Sequence, residues 1–400
     1  MSIPKVKAGD LRTQEALRLM SRFAERTGLT SNRPQHRYLW TDAFAVCNFL
    51  GMARGTGDER QRELALRLVD QVHWTLGRHR PGDTRSGWLS GLNEREGAAH
   101  PTRGGLRIGK PLPERRADEP FDEEQEWERD GQYFHYLTKW MHALDQTSRS
   151  TRLARFNVWA RELAETAFRT FTVRMDGRLR MVWKMSVDLT RPLVSSMGHH
   201  DALEGLVSCA QLQATATKFI ATADAPRLDD ALQGFAAMSQ SGQWATADPL
   251  GLGGLLIEAF RVEQLLGRSA FLNEGLLYSL LSAALEGLPH YVQHGEFRQP
   301  ASRRLAFREL GLCIGLHAVE LMKLRLTTHR LSSEGEELGT LLSGFNDFLA
   351  LGSDLESFWL APEHQHSTTW AAHRDINEVM LATSLVPEGC LVLVDPTARF

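Results

Sequence analysis

The sequence predicts an all-α protein built from paired helices. Apolar residues recur with a period of 3.6 along most of its 400 residues. Polar, glycine or proline breaks separate these segments at the spacing of ordinary helices. Only one stretch, "FTVRMDGRLRMVWKM", alternates with period two instead.

Taken in order, the periodic segments predict twelve main helices. Their approximate bounds are 11–28, 36–54, 58–79, 131–147, 151–171, 199–221, 227–241, 251–267, 270–288, 301–325, 334–352 and 370–385. The alternating stretch predicts a small β-hairpin that turns at Asp176-Gly177, a dipeptide suited to a tight turn. The tail "GCLVLVD" suggests one more strand.

Twelve helices in six hairpins predict an (α/α)6 toroid, a single domain spanning residues 1–400. In this architecture an inner ring of helices is wrapped by an outer ring. Segments 58–79, 151–171 and 334–352 carry long charged faces, which favours the outer ring, whereas "DALEGLVSCAQLQATATKFIA" and "DPLGLGGLLIEAF" are small and apolar, as inner helices would be. An α-solenoid uses the same pairs, but no repeat of fixed period is visible.

Composition argues against several partners. With 46 Lys and Arg against 49 Asp and Glu, the net charge of -3 gives no basic field for nucleic acid or an anionic membrane. No apolar run is long enough to span a bilayer and no leader pattern is visible, so we expect a soluble cytoplasmic protein. The four cysteines lie far apart without a CxxC pair, which favours reduced core thiols, no metal site and no cofactor.

Candidate catalytic residues collect where the inner helices begin. In "RYLWTDAFAVCNFLGM" the carboxylate of Asp42 stands near the head of an otherwise apolar helix, and comparable positions recur on other hairpins. Capping is the alternative for each aspartate, but histidines beside helix N-termini are not explained by it. Of the adjacent pair His199 and His200, only one is expected to face a cavity. The catalytic candidates are Asp42, Asp130, Asp201, His199, His200 and His373.

Candidate substrate-binding residues lie around the same predicted mouth. Tryptophan faces can stack on sugar rings, and guanidinium groups bind uronate or phosphate bidentately. Residues 80–130 contain enough tryptophan and aliphatic side chains to predict an ordered lid, and "RGGLRIGK" lacks the pattern of a nucleotide loop. The binding candidates are Trp40, Trp88, Trp127, His135, Arg308, Trp370 and Asp375.

The chain resembles the six-hairpin glycosidase superfamily in its helix count. Locally, "YLWTDAFAVCNFLG" looks like the helix start of unsaturated glucuronyl and rhamnogalacturonyl hydrolases. In those enzymes an inner-helix aspartate is the acid and base that hydrates an enol-ether bond, and the resemblance implies that role for Asp42. The chain is more weakly similar to the N-acylglucosamine 2-epimerases, which implies an alternative proton transfer by His199 or His200 with His373.

Together these features predict an enzyme acting on a small carbohydrate or oligosaccharide. Glycoside hydrolysis by paired carboxylates is preferred, and a histidine-based sugar epimerase or isomerase is the alternative. A third hypothesis is a toroid that binds a glycan or a protein without catalysis.

Overall fold

In the computed structural model, which describes residues 11–219, 225–240, 242–328 and 333–395, the chain is mostly helical. About 65% of the residues are in helices and 5% in strands, so the predicted all-α class is confirmed. The chain divides into two compact units. The first comprises Met1–Phe23, Gly51–Asp58 and Ser241–Leu393, and the second comprises Ala24–Leu50, Glu59–Gln240 and Val394–Phe400.

The helices of the described residues follow the predicted segments closely. In chain order they are α1 Leu11–Arg26, α2 Leu39–Thr56, α3 Glu59–Leu76, α4 Glu94–Ala99, α5 Glu123–Glu128, α6 Phe134–Thr151, α7 Ala154–Phe171, α8 Asp201–Ala216, α9 Asp229–Ser239, α10 Pro249–Leu265, α11 Glu274–His294, α12 Ala306–Thr328, α13 Ser333–Ser343, α14 Asn346–Leu360, α15 Pro362–Gln365, α16 Thr368–Ala372, α17 Arg374–Leu385 and α18 Glu388–Leu391. The predicted segment 334–352 is interrupted at Gly344, a poor helix former, so that two helices replace one. Parts of the predicted segments 199–221 and 227–241 lie outside the described residues.

Among the described residues of the second unit, five short strands form two antiparallel sheets. The hairpin of β2 Thr172–Met175 and β3 Arg178–Met181 confirms the predicted insertion, with Asp176 and Gly177 both at positive φ in the turn. The other sheet has the order β1 Gln132–Tyr133, β4 Lys184–Met185 and β5 Pro192–Val194. It joins the start of α6 to the segment that precedes α8.

The predicted strand at the tail is wrong. The amides of Cys390 and Leu391 donate to the carbonyl of Pro387 in a helical turn, and the amide of Leu393 donates to the Gln264 side chain. Val and Leu favour a strand only where a neighbouring strand accepts the pairing. These residues bond locally and to a side chain instead.

Burial alternates along the chain between helices that are covered and helices that are half exposed. Every residue of α2 from Leu39 to Leu50 is buried, and α8 is covered almost throughout. By contrast, α3 and α7 bury one face and expose charged residues on the other. In the second unit α6 packs against α7 and α8, and in the first unit α12 packs against α10, α14 and α17. The covered helices are the second members of the predicted pairs.

The segment 80–130 is ordered, as its composition predicts. It contains α4 and α5, and isolated bridges tie Arg78 to Trp88 and Leu112 to Arg129. Within the described ranges, no helix has both the length and the apolar character needed to cross a bilayer.

Candidate functional site

Asp42 is held by its own helix and a buried arginine. Its Oδ2 accepts the amide N–H of Tyr38 at 2.9 Å, and its Oδ1 lies 3.4 Å from Nη1 of Arg37. This bond satisfies one of the backbone N–H groups that have no intrahelical partner at the start of a helix. Both Asp42 and Arg37 are almost fully buried. These contacts assign Asp42 a clear structural role at the start of α2.

Asp130 has a similar role in the loop before α6. Its carboxylate pairs with Arg107 and accepts the amide N–H of Gly109 at 3.0 Å. Arg107 in turn donates to the carbonyls of Thr75 and Arg78. Asp130 is completely buried, and these bonds fasten the 104–112 loop to the end of α3. A buried arginine–carboxylate pair with this many bonds is typical of structure.

Asp201, at the start of α8, differs from both. It is 4% exposed, and Oδ2 accepts the amide N–H of Gly198 at 3.0 Å. No lysine or arginine of the described residues forms an ion pair with it. Burial and, next, the negative charge of Glu204 raise the pKa of Asp201 to about 7. Asp201 can therefore carry a proton near neutral pH.

Glu204 lies one turn further along α8, and three groups of α6 hold it. His135 Nδ1 is 2.8 Å from Oε2, Lys139 Nζ is 3.1 Å from Oε1, and the Thr138 hydroxyl donates at 2.8 Å. Burial raises the pKa of Glu204, but His135, Lys139 and Thr138 outweigh burial and lower that pKa below its ordinary value. Glu204 is therefore the more acidic of the two neighbouring carboxyl groups, because its pKa is lowered and that of Asp201 is raised.

Trp40 contributes to this cluster through its indole nitrogen. The Nε1–H of Trp40 donates to Nε2 of His135 at 3.1 Å. Nε2 must then be an acceptor, which places the imidazole proton on Nδ1, where it faces Glu204. Trp40 is 3% exposed, so it orients the imidazole and offers almost no face for stacking.

An aromatic cleft of ≈ 320 Å³ lies in the same unit. Trp127 is 51% exposed and stacks on Trp183 at a ring distance of 5.2 Å, and Trp183 contacts Tyr133 at 4.7 Å. The cleft is lined by Phe121, Glu123, Glu126, Trp127, Tyr133, Trp183, Val194, Ser196, Met197 and Gly198. Strands β1, β4 and β5, with α5, position these side chains.

Two residues connect the cleft with the carboxylate cluster. Gly198 lines the cleft and donates its amide to Asp201, and Tyr133 lines the cleft with its ring 5.9 Å from that of His135. A Cβ at position 198 would lie 2.4 Å from Oδ2 of Asp201, so this close approach requires glycine. The cleft, Asp201, Glu204 and His135 form the candidate site.

The remaining candidates of this unit lie in two settings. His199 is exposed and His200 is half-buried, and their rings pack at 4.5 Å just before Asp201. Trp88 is 4% exposed and packs edge-on against Trp74 inside the 80–130 segment. Its burial indicates a role in ordering that segment.

Four candidates belong to the first unit. Arg308 pairs with Asp248, the N-cap of α10. Trp370 is 2% exposed and stacks on Trp359. His373 is exposed with its ring 5.6 Å from Phe307, and Asp375 is half-buried in the first turn of α17. The convergence of all candidates on one pocket stays a prediction.

Several members of the candidate site were not chosen from the sequence. Glu204 follows Asp201 by three residues, a spacing that puts both carboxylates on one face of a helix, and this signal was available in "HHDALEG". Phe121 and Met197 had no periodic signal, and Trp183 lies in the alternating stretch that predicts the β-hairpin, but no local pattern shows that short strands and loops bring the three to one cleft.

Comparison with known proteins gives no relative: no protein-family model matches the chain, and no curated protein is significantly similar to it.

Proposed function

We propose that the protein is a carbohydrate-active enzyme, with glycoside hydrolysis as the preferred reaction. The observation that carries this proposal is an aromatic cleft whose lining residue Gly198 donates its amide to Asp201, with Glu204 one turn further along α8. Aromatic faces bind the apolar faces of sugar rings. Exposed Trp127 and half-buried Trp183 and Tyr133 provide such faces.

The two carboxyl groups have the properties that cleavage of a glycosidic bond requires. A protonated acid donates to the leaving oxygen, and a carboxylate stabilises the positive charge that develops on the sugar or activates water. We assign the acid to Asp201 and the ionised carboxylate to Glu204. This assignment replaces Asp42 and Asp130, whose oxygens bond to Arg37 and Arg107.

Sugar epimerisation is a second candidate, favoured by one observation. His199 and His200 precede Asp201 directly, and the ring of His199 is exposed. Histidine near neutral pH can remove a proton next to a carbonyl group. This reaction needs a second base on the opposite side of the sugar carbon.

We also propose that the helical hairpins belong to an (α/α)6 toroid. The alternation of covered and half-exposed helices supports this architecture, as does the packing of α6 on α8 in one unit and of α10 on α12 in the other. An experimental structure tests it: six covered helices in a closed ring would support the toroid, and an open row of hairpins would contradict it. The four cysteines are buried and free of disulfides, which supports a cytoplasmic location.

Incubation with saturated and unsaturated oligosaccharides and free sugars in deuterated water tests the function. New reducing ends that are lost in Asp201→Asn support hydrolysis. Deuterium at a sugar carbon without cleavage would support epimerisation instead. Binding of a glycan without turnover would contradict both reactions and favour a binding protein.

A further inference from the structure

The charged side chains that line the aromatic cleft are acidic. Two of the ten lining residues, Glu123 and Glu126, carry carboxylates, and none is lysine or arginine. The segment that forms one wall, "FDEEQEWE" from residue 121 to 128, contains five carboxylates. Arg115 and Lys184 pair with Glu126 behind the lining, so the excess negative charge that favours a positive ligand lies on the exposed carboxylates of this segment.

The two lining carboxylates differ in their surroundings. Glu126 is buried and pairs with Arg115 at 3.0 Å and with Lys184 at 2.8 Å, so these two cations balance its negative charge. Glu123 is exposed, and no basic side chain of the described residues pairs with it. Glu123 thus leaves an uncompensated negative charge at the rim of the cleft.

The aromatic walls add a second attraction for cations. Of the aromatic residues in the lining, Trp127 is 51% exposed and stacks on Trp183, which also packs against Tyr133, while the guanidinium of Arg115 lies 5.7 Å from the centre of the Phe121 ring. A cation over the face of such a ring, within about 6 Å of its centre, is attracted by the ring quadrupole. A neutral group of the same shape gains only the burial of apolar surface.

We propose that this cleft binds a ligand that carries an ammonium group, either a quaternary ammonium or a protonated amine. The cation lies over the exposed face of Trp127, which Trp183 supports by stacking, and Glu123 balances its charge. Combined with the proposed function, on which this last step rests, the substrate class is an amino sugar or a glycoside with an ammonium substituent. Uronates and sugar phosphates, which the sequence suggested through its arginines, are disfavoured in this cleft because no arginine lines it.

Calorimetric titration with choline and with 3,3-dimethylbutan-1-ol tests the inference, because the two molecules share a shape and differ in charge. We expect choline to bind at least about fivefold more tightly, as a desolvated cation over aromatic rings would. The preference should decrease in Glu123→Gln and in Trp127→Leu. Matched controls are Glu124→Gln, on the same helix but outside the lining, and Trp74→Leu, an exposed tryptophan elsewhere in the unit.

Equal binding of the two probes, or an equal loss in the control variants, would overturn the inference. If neutral sugars are turned over but choline is not preferred, the ammonium ligand is contradicted and the proposed function is not. A clear preference for choline without turnover of any sugar would support the ligand class and contradict the proposed function.

Discussion

Two buried clusters join carboxylates to a histidine, and they differ in how their charges are balanced. In the first unit, Glu356 pairs with Arg12 and lies 3.4 Å from His317, and Ser384 donates to it at 2.6 Å. In the second unit, Glu204 is equally well paired, but Asp201 beside it accepts a backbone N–H and forms no ion pair within the part of the chain that the structure describes. A cluster in which every charge is balanced contributes to structure, and one that keeps an unpaired acid is suited to proton transfer.

The pKa values follow this difference. Burial lowers the pKa of His317, but hydrogen bonds to Glu320 and Glu356 outweigh it and raise that pKa to about 9. Burial raises the pKa of Glu356, and its partners His317, Ser384 and Arg12 lower it below the ordinary value. Both groups are charged at neutral pH. Asp201, with a pKa of about 7, can exchange a proton there.

The largest expected effect is on turnover in Asp201→Asn. Removing a general acid costs about 10²- to 10⁴-fold in rate, while asparagine can still accept the N–H of Gly198. The rate with the substrate found in the oligosaccharide panel, measured beside the circular dichroism spectrum, checks this. Full activity in Asp201→Asn would show that Asp201 is not the general acid.

Asp130→Asn extends the comparison to a fully paired carboxylate. Arg107 would keep its charge in a buried position without a partner, which costs about 3–5 kcal/mol of the free energy of unfolding. Urea denaturation measures this loss. An unchanged midpoint would show that the pair does not hold the 104–112 loop.

Asp201→Asn should also change how stability depends on pH. A folded-state pKa of about 7 against an ordinary 3.8 means that wild-type stability falls as pH rises from about 4 to 7, by up to about 4 kcal/mol. The variant lacks this loss and should be the more stable protein at pH 8. Unfolding at pH 5 and pH 8 measures the difference, and parallel curves for the two proteins would refute the raised pKa.

The smallest expected effect belongs to His317. Its folded-state pKa is raised from 6.5 to about 9, so its contribution is full below pH 6.5 and is lost as pH rises through about 9, by at most about 3 kcal/mol. His317→Gln should remove this alkaline dependence, and thermal unfolding from pH 6 to 10 measures it. Glu320→Gln removes only the partly exposed partner and should retain part of the dependence.

The sequence determined the secondary structure of this protein to a large extent. Helical periodicity is a local property, so the main helices and the hairpin at Asp176-Gly177 follow from neighbouring residues alone. The prediction of a strand at the tail was wrong because β-structure depends on a partner strand, which no local pattern provides. Similarly, the covered helix α2 was readable from its apolar residues on nearly all sides.

Only the tertiary structure distinguished among the aspartates. Asp42, Asp130 and Asp201 have equivalent positions in the sequence pattern, yet Arg37 and Arg107 pair with the first two, and the third lies beside Glu204. Arg107 is 23 residues from Asp130, and β4, β5 and α5 bring Trp183, Met197 and Trp127 to the cleft from separate segments. The charge state of a buried group depends on what surrounds it in space. Arg37 and Glu204 are near their aspartates in the chain, but only the fold shows that Arg37 turns onto Asp42 and that His135 and Lys139 hold Glu204.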